Sequence, residues 1–157
     1  MRRQGMERTF EQFTLLVLKI NKLIQRIKTF EIRGYGLKAV HVLCVYFLNE
    51  NPQGLTAAEI VKLTVEDKAA ISRALAELKS KGFADCGGNG RNAVVTLTES
   101  GKALAEFIDG ETSAAEKACN LDFSDEERQI FYNSLKKIEE NIQIYYENLL
   151  KKDIKND

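Results

Sequence analysis

Leu55-Thr56-Ala57-Ala58-Glu59-Ile60, then Asp67-Lys68-Ala69-Ala70-Ile71-Ser72-Arg73-Ala74-Leu75, closed by Lys81-Gly82-Phe83, is the stretch that decides the fold. Thr56 with Glu59 three residues on is a capping box, in which a hydroxyl and a carboxylate satisfy orphan amides at a helix start. Leu55 before the cap and Ile60 after it form a hydrophobic staple. This short helix stops near Leu63-Thr64-Val65, and a second starts at about Asp67 and runs to Lys81, where Gly82 ends it. Its apolar stripe is Ile71, Ala74, Leu75 and Leu78. With that stripe inward, helical geometry turns Ala69, Ser72, Arg73, Ala76 and Lys79 outward.

Outward from this pair the pattern changes period. Phe83 to Cys86 and Ala93 to Leu97 are short strand candidates joined by the turn-forming run Gly87-Gly88-Asn89-Gly90-Arg91-Asn92. On the N-terminal side, Asn51-Pro52-Gln53-Gly54 ends a helix expected over about residues 37–50. A long helix over about residues 6–30 carries Phe10, Phe13, Val17, Ile20, Ile24 and Ile27 at spacings of three and four. After the strands, Thr98 caps a further helix that ends before Asn120. Ser124-Asp125-Glu126-Glu127 opens the last one, which repeats Phe131, Leu135, Ile138, Ile142, Tyr145 and Leu149 in a 4-3-4-3-4 rhythm. The fold class expected is mainly α with a small two- or three-stranded β wing: a winged helix-turn-helix at 37–101, flanked by dimerisation helices at 1–36 and 102–157.

Composition narrows the function. The chain of 157 residues has no net charge, yet residues 1–54 hold nine basic against four acidic side chains, residues 55–98 six against five, and residues 99–157 eight against fourteen. Such polarity lets one face meet phosphate while another repels it. Cys44, Cys86 and Cys119 are widely spaced and odd in number, a cytosolic pattern rather than a disulfide framework. No apolar run approaches the roughly 18–20 residues of a membrane span, and Met1-Arg2-Arg3-Gln4 opens no export signal. A cytoplasmic protein is expected. The single histidine, His41, has no evident Ser/Asp or Cys/Asn companions, and the glycine-rich run precedes a strand rather than a helix, so neither an enzyme nor a cofactor is expected.

The outer face of the Asp67–Lys81 helix carries the functional reading. Small side chains let a helix sit deep in the major groove, where Arg73 can read guanine O6 and N7. Ser72 can donate to phosphate or a base edge, Lys68 can reach phosphate, and Arg91 on the low-bulk tip suits an adjacent minor groove. The sequence from about 36 to 107 resembles the MarR (multiple antibiotic resistance regulator) family, on the segments quoted above and on Val95-Thr96-Leu97-Thr98-Glu99-Ser100-Gly101. The resemblance implies recognition-helix contacts at Lys68, Ala69, Ala70, Ser72 and Arg73, and wing contacts at Asn89 and Arg91. Ala69 and Ala70 stand where relatives often have hydroxyls. The wing keeps one arginine but lacks the family's Asp and second cation.

Two long helices with wide apolar stripes cannot both be buried against one small winged helix. A homodimer through Phe13, Val17, Ile20, Phe131, Leu135, Ile138, Ile142 and Tyr145 is therefore expected. Its partner would be double-stranded DNA bearing a near-palindromic operator, and the resemblance implies a repressor released by a small-molecule effector of unknown identity. Tyr35, Tyr46, Tyr132, Tyr145 and Tyr146 are either effector-pocket or packing residues. Two alternatives stand beside this reading: a dimeric protein-interaction module on a degenerate winged helix, and a redox- or metal-responsive regulator. The latter would use Cys86 near the wing, or Cys44 with His41 three residues before it, against the commoner arrangement of a buried Cys44 packed beside a half-buried His41.

Overall fold

The computed structural model describes residues 3–88, 93–118 and 123–153. Among these, six α-helices and three short strands run in the order α1 (Arg3–Ile32), α2 (Ala39–Glu50), β1 (Leu55–Thr56), α3 (Ala57–Leu63), α4 (Lys68–Ser80), β2 (Ala84–Gly87), β3 (Val94–Leu97), α5 (Glu99–Ala118) and α6 (Asp125–Asp153). A 3-10 turn over Arg33–Tyr35 separates α1 from α2 and ends on Gly36, whose φ of 66° is left-handed. The Arg33-Gly34-Tyr35-Gly36 run thus falls between the two helices expected over about residues 6–30 and 37–50. The chain divides into two compact units, 1–114 and 115–157.

In the first unit, one core is built from every element. Ile32, Leu37, Val42, Val45 and Leu48 around and within α2, Ile60 of α3, the four-residue stripe of α4, Ala84, Val95, and Leu104, Ala105 and Ile108 of α5 form it. The expected stripe of α4 is buried at all four positions. The sheet is antiparallel in the order β1-β3-β2, with Leu55 opposite Val95 and Cys86 opposite Val95 on the other side. The wing is therefore three-stranded. β1 is only two residues long, too short to show a period-2 pattern in sequence.

Three local devices set the helix ends. Thr56 N–H and Oγ1 both donate to Glu59 Oε2 at 2.8 Å, and Glu59 N–H donates back to Thr56 Oγ1, which closes the expected capping box. These bonds hold the Glu59 carboxyl below its ordinary range. At the end of α4, Phe83 N–H donates to Leu78 O and Gly82 N–H to Lys79 O, with Gly82 at φ 77°: a Schellman stop. Thr98 accepts from Gly101 N–H at 3.1 Å and donates its hydroxyl to Gly82 O at 2.6 Å, so one side chain caps α5 and ties it to the end of α4.

The second unit holds α6. Ser124 N–H donates to Glu127 Oε2 at 2.8 Å and Glu127 N–H to Ser124 Oγ at 3.2 Å, the second expected capping box. Phe131 meets Phe123 at 5.9 Å and Tyr132 at 5.5 Å between ring centroids.

Two glycines of α5 give opposite expectations. A Cβ at Gly101 would overlap the Phe83 carbonyl and press on Leu97 Cβ, whereas one at Gly110 meets nothing within 4 Å. Gly101→Ala is expected to destabilise by about 1–3 kcal/mol, as overpacking does. Gly110→Ala should stabilise by about 0.5–1 kcal/mol, as helix propensity does. Thermal unfolding of the two variants checks both signs.

Candidate nucleic-acid interface

Helix α4 begins at Asp67, whose Oδ1 accepts from Ala70 N–H at 2.7 Å. That bond fixes where the first turn starts, and the buried stripe fixes how the helix is rolled. Lys68, Ala69, Ser72, Arg73, Ala76 and Lys79 are all exposed. Ala70 is half-buried and its amide is committed to the cap, so of the five recognition-helix candidates it is the one turned partly from solvent. Arg73 has no ion-pair partner among the described residues, where the pairs are His41–Glu77 and Lys102–Glu99. The outer face is thus a strip of small side chains with Lys68, Arg73 and Lys79 free to reach an anion. Asn89 and Arg91 lie outside the described residues, as does the rest of the hairpin tip.

The roll of α4 has a second support that the sequence did not show. His41, on α2, is 2% exposed and is the buried polar side chain of the described core. Lys38 N–H donates to its Nδ1 at 2.9 Å, which leaves the ring proton on Nε2, and Nε2–H donates to Glu77 Oε2 at 3.1 Å. The ring is fully buried rather than half-buried, and both of its nitrogens are hydrogen-bonded. The link spans 36 positions in the chain, and no local motif announces it.

The same geometry bears on His41 and Cys44 as a pair of metal ligands. His41 has no free nitrogen, and Cys44 is fully buried, with desolvation and then the charge of Glu66 pushing its thiol up to about 12. Among the described residues no cluster of His, Cys, Asp and Glu could hold a metal ion. Cys86 is half-buried on β2, its N–H accepted by Asp85 Oδ1 at 2.7 Å.

The dimer candidates divide by exposure. On α1, Phe13 is half-buried, while Val17 and Ile20 are 42% and 48% exposed. On α6, Phe131, Leu135, Ile138, Ile142 and Tyr145 are all exposed. Of the five tyrosines, Tyr35 packs edge-on to Phe83 at 6.0 Å and against Phe107 at 5.4 Å. A groove along α1 is lined by Lys22, Arg26, Phe30 and Arg33 among others and by none of the tyrosines. No helix among the described residues is long and apolar enough to cross a membrane.

Such an arrangement, a capped short helix, a half-exposed second helix and an antiparallel hairpin behind it, defines a winged helix-turn-helix. The model of the MarR family matches residues 35–91. A MarR transcriptional regulator from Methanosarcina mazei Go1 superposes with a TM-score of 0.74 at 23% identity, covering 85% of this chain and 92% of that one. The MarR protein from Peptoclostridium difficile DA00132 gives 0.76 at 21% identity, over 87% and 91%. A putative MarR family regulator from Listeria monocytogenes, complexed with 26mer DNA, gives 0.73 at 24% identity, over 80% and 85%. No curated protein matches the chain. Residues 35–91 thus match the MarR family model, and the chain shares the fold of these proteins over most of its length.

The cysteines separate in a chemical test. At about pH 8 the exposed fraction of a thiol governs its alkylation. Cys86 is expected to react in the native protein and Cys44 only after unfolding, as peptide mass mapping would show. Native-state modification of Cys44 at the rate of Cys86 would contradict the burial described.

Proposed function

We propose that the protein is a dimeric DNA-binding transcription regulator, a repressor that reads a near-palindromic operator in the cytoplasm and is released by a small-molecule effector. The observation that carries the reading is the outer face of α4: exposed Lys68, Ala69, Ser72 and Arg73 on a helix whose other face is buried. Ala69 leaves room for close approach to the groove floor. Arg73, with no partner among the described residues, is available for a bidentate contact to guanine. Ala70 packs at the edge of this surface, Ser72 and Lys68 take phosphate, and Asn89 and Arg91 extend the contact through the wing. A MarR relative of the same fold is described in complex with DNA, which supports the assignment.

Residues 37–101 act as the reader and 1–36 with 102–157 as the dimerisation region. The support is the apolar surface of the long helices. Leu15, Leu16, Leu18, Leu23 and Phe30 of α1, and Ile130, Ile144 and Leu150 of α6, are each more than 40% exposed, in addition to the interface candidates. A monomer rarely leaves apolar stripes of this length uncovered on its helices. A second copy covers it and places two α4 helices about a two-fold axis, with half-sites roughly 10 bp apart. The effector acts by favouring a spacing of the two readers that no longer matches the half-sites.

Fluorescence anisotropy with genomic upstream fragments against scrambled DNA, across a salt series, tests the reading. Fragment-selective binding whose log affinity falls steeply with log salt is expected. Arg73→Ala should lose about 1–3 kcal/mol of selective binding and leave the dimer intact by light scattering. Weak, sequence-blind binding by the unaltered protein would overturn the proposal in favour of a protein-interaction module.

A further inference from the structure

Arg73 and Glu77 stand four residues apart on α4, the spacing at which an arginine and a carboxylate pair along one face of a helix. They do not pair here. Glu77 turns its Oε2 toward α2, where His41 Nε2–H holds it at 3.1 Å, and Arg73 is left without an ion-pair partner among the described residues. The ring that holds Glu77 is buried and hydrogen-bonded to the Lys38 N–H on its other nitrogen, whereas the Glu77 side chain is 42% exposed. We infer that His41 acts as a retainer for Glu77, keeping that carboxylate off Arg73 so that the guanidinium stays free for DNA. The inference rests on the DNA-reading role of Arg73, but the pairing it describes exists without DNA.

The chemistry favours a retainer over a simple structural tie. The acceptor is half in solvent and has an alternative cation one helical turn away. Release of Glu77 does two things at once. It gives Arg73 an intrahelical partner that must be broken before a base can be bound, and it brings a negative charge toward the phosphates.

Retention and simple stability separate in a mutant cycle. His41→Leu is expected to weaken operator binding about twofold per half-site, and so about fourfold on a two-half-site operator, the size of one helix ion pair per chain. In a Glu77→Ala background the same His41→Leu change should cost nothing. Glu77→Ala alone should lower the thermal midpoint yet keep or raise operator affinity, so the two ends of one hydrogen bond act with opposite sign. Equal losses from His41→Leu in both backgrounds, or weaker operator binding by Glu77→Ala, would overturn the inference. Should His41→Leu fail to fold, His41→Gln, which retains an N–H donor, is expected to keep the affinity of the unaltered protein while Glu77→Ala supplies the discriminating sign. A DNA-free arm isolates the pairing itself. The Arg73 Nε–H resonance should shift on His41→Leu and return in the double variant; an unmoved resonance overturns retention whatever the DNA result. Loss of selective binding by the unaltered protein, with the resonance shifting as expected, would instead overturn the DNA reading.

Discussion

A thirteen-residue helix in a small domain can bury one face, and everything this protein does with α4 depends on which face that is. Ile71, Ala74, Leu75 and Leu78 choose it, since removing any of these from the core would expose apolar surface at about 25 cal/mol per Å². The Asp67 cap and the Schellman stop at Gly82 then fix the two ends, so the helix has neither axial nor rotational slack. Small residues and cations on the other side are a consequence of this. They tolerate exposure because the buried stripe has already satisfied the helix.

The rest of the first unit supports that orientation. Thr98 binds the carbonyl of Gly82 and the amide of Gly101 with one hydroxyl, which places α5 directly behind the end of α4. Gly101 has no side chain because the Phe83 carbonyl occupies that space. Gly54, at φ 87°, is fixed for two reasons together, its backbone angle and the nearness of Val94 and Val95. These contacts join the hairpin to the helices on either side of it. They also give the first half of α5 a share in the same core as Ile32 of α1.

Much of this was legible in the chain, and the reasons differ by element. The stripe of α4, both capping boxes and the stop at Gly82 are local patterns of fixed spacing, which is why sequence and structure agree on them. β1 escaped notice because two residues carry no periodicity, and its pairing with β3 is set by Gly54 and the register at Val95. The His41–Glu77 bond was illegible because its ends are far apart in sequence and each residue alone looks ordinary. A histidine in an otherwise apolar stretch, Val40-His41-Val42-Leu43-Cys44-Val45, was the available signal. It indicated burial with a partner without indicating the partner. Asp67 could have been read as the N-cap from its place before Lys68-Ala69-Ala70.

The distribution of charge agrees with this division of labour. The surplus of acid lies beyond residue 98, and the basic surplus before residue 55, with residues 55–98 near neutrality. On the function proposed, selectivity would come from a few well-placed cations rather than from a broad positive field. Guanine-N7 methylation interference on a selected upstream fragment tests the central claim most directly, because it reports which groove edge is read and how often. The account predicts interference in two clusters, one per half-site, about one helical turn apart. A single cluster, or protection without any base interference, would contradict a two-fold reader that uses Arg73 in the major groove.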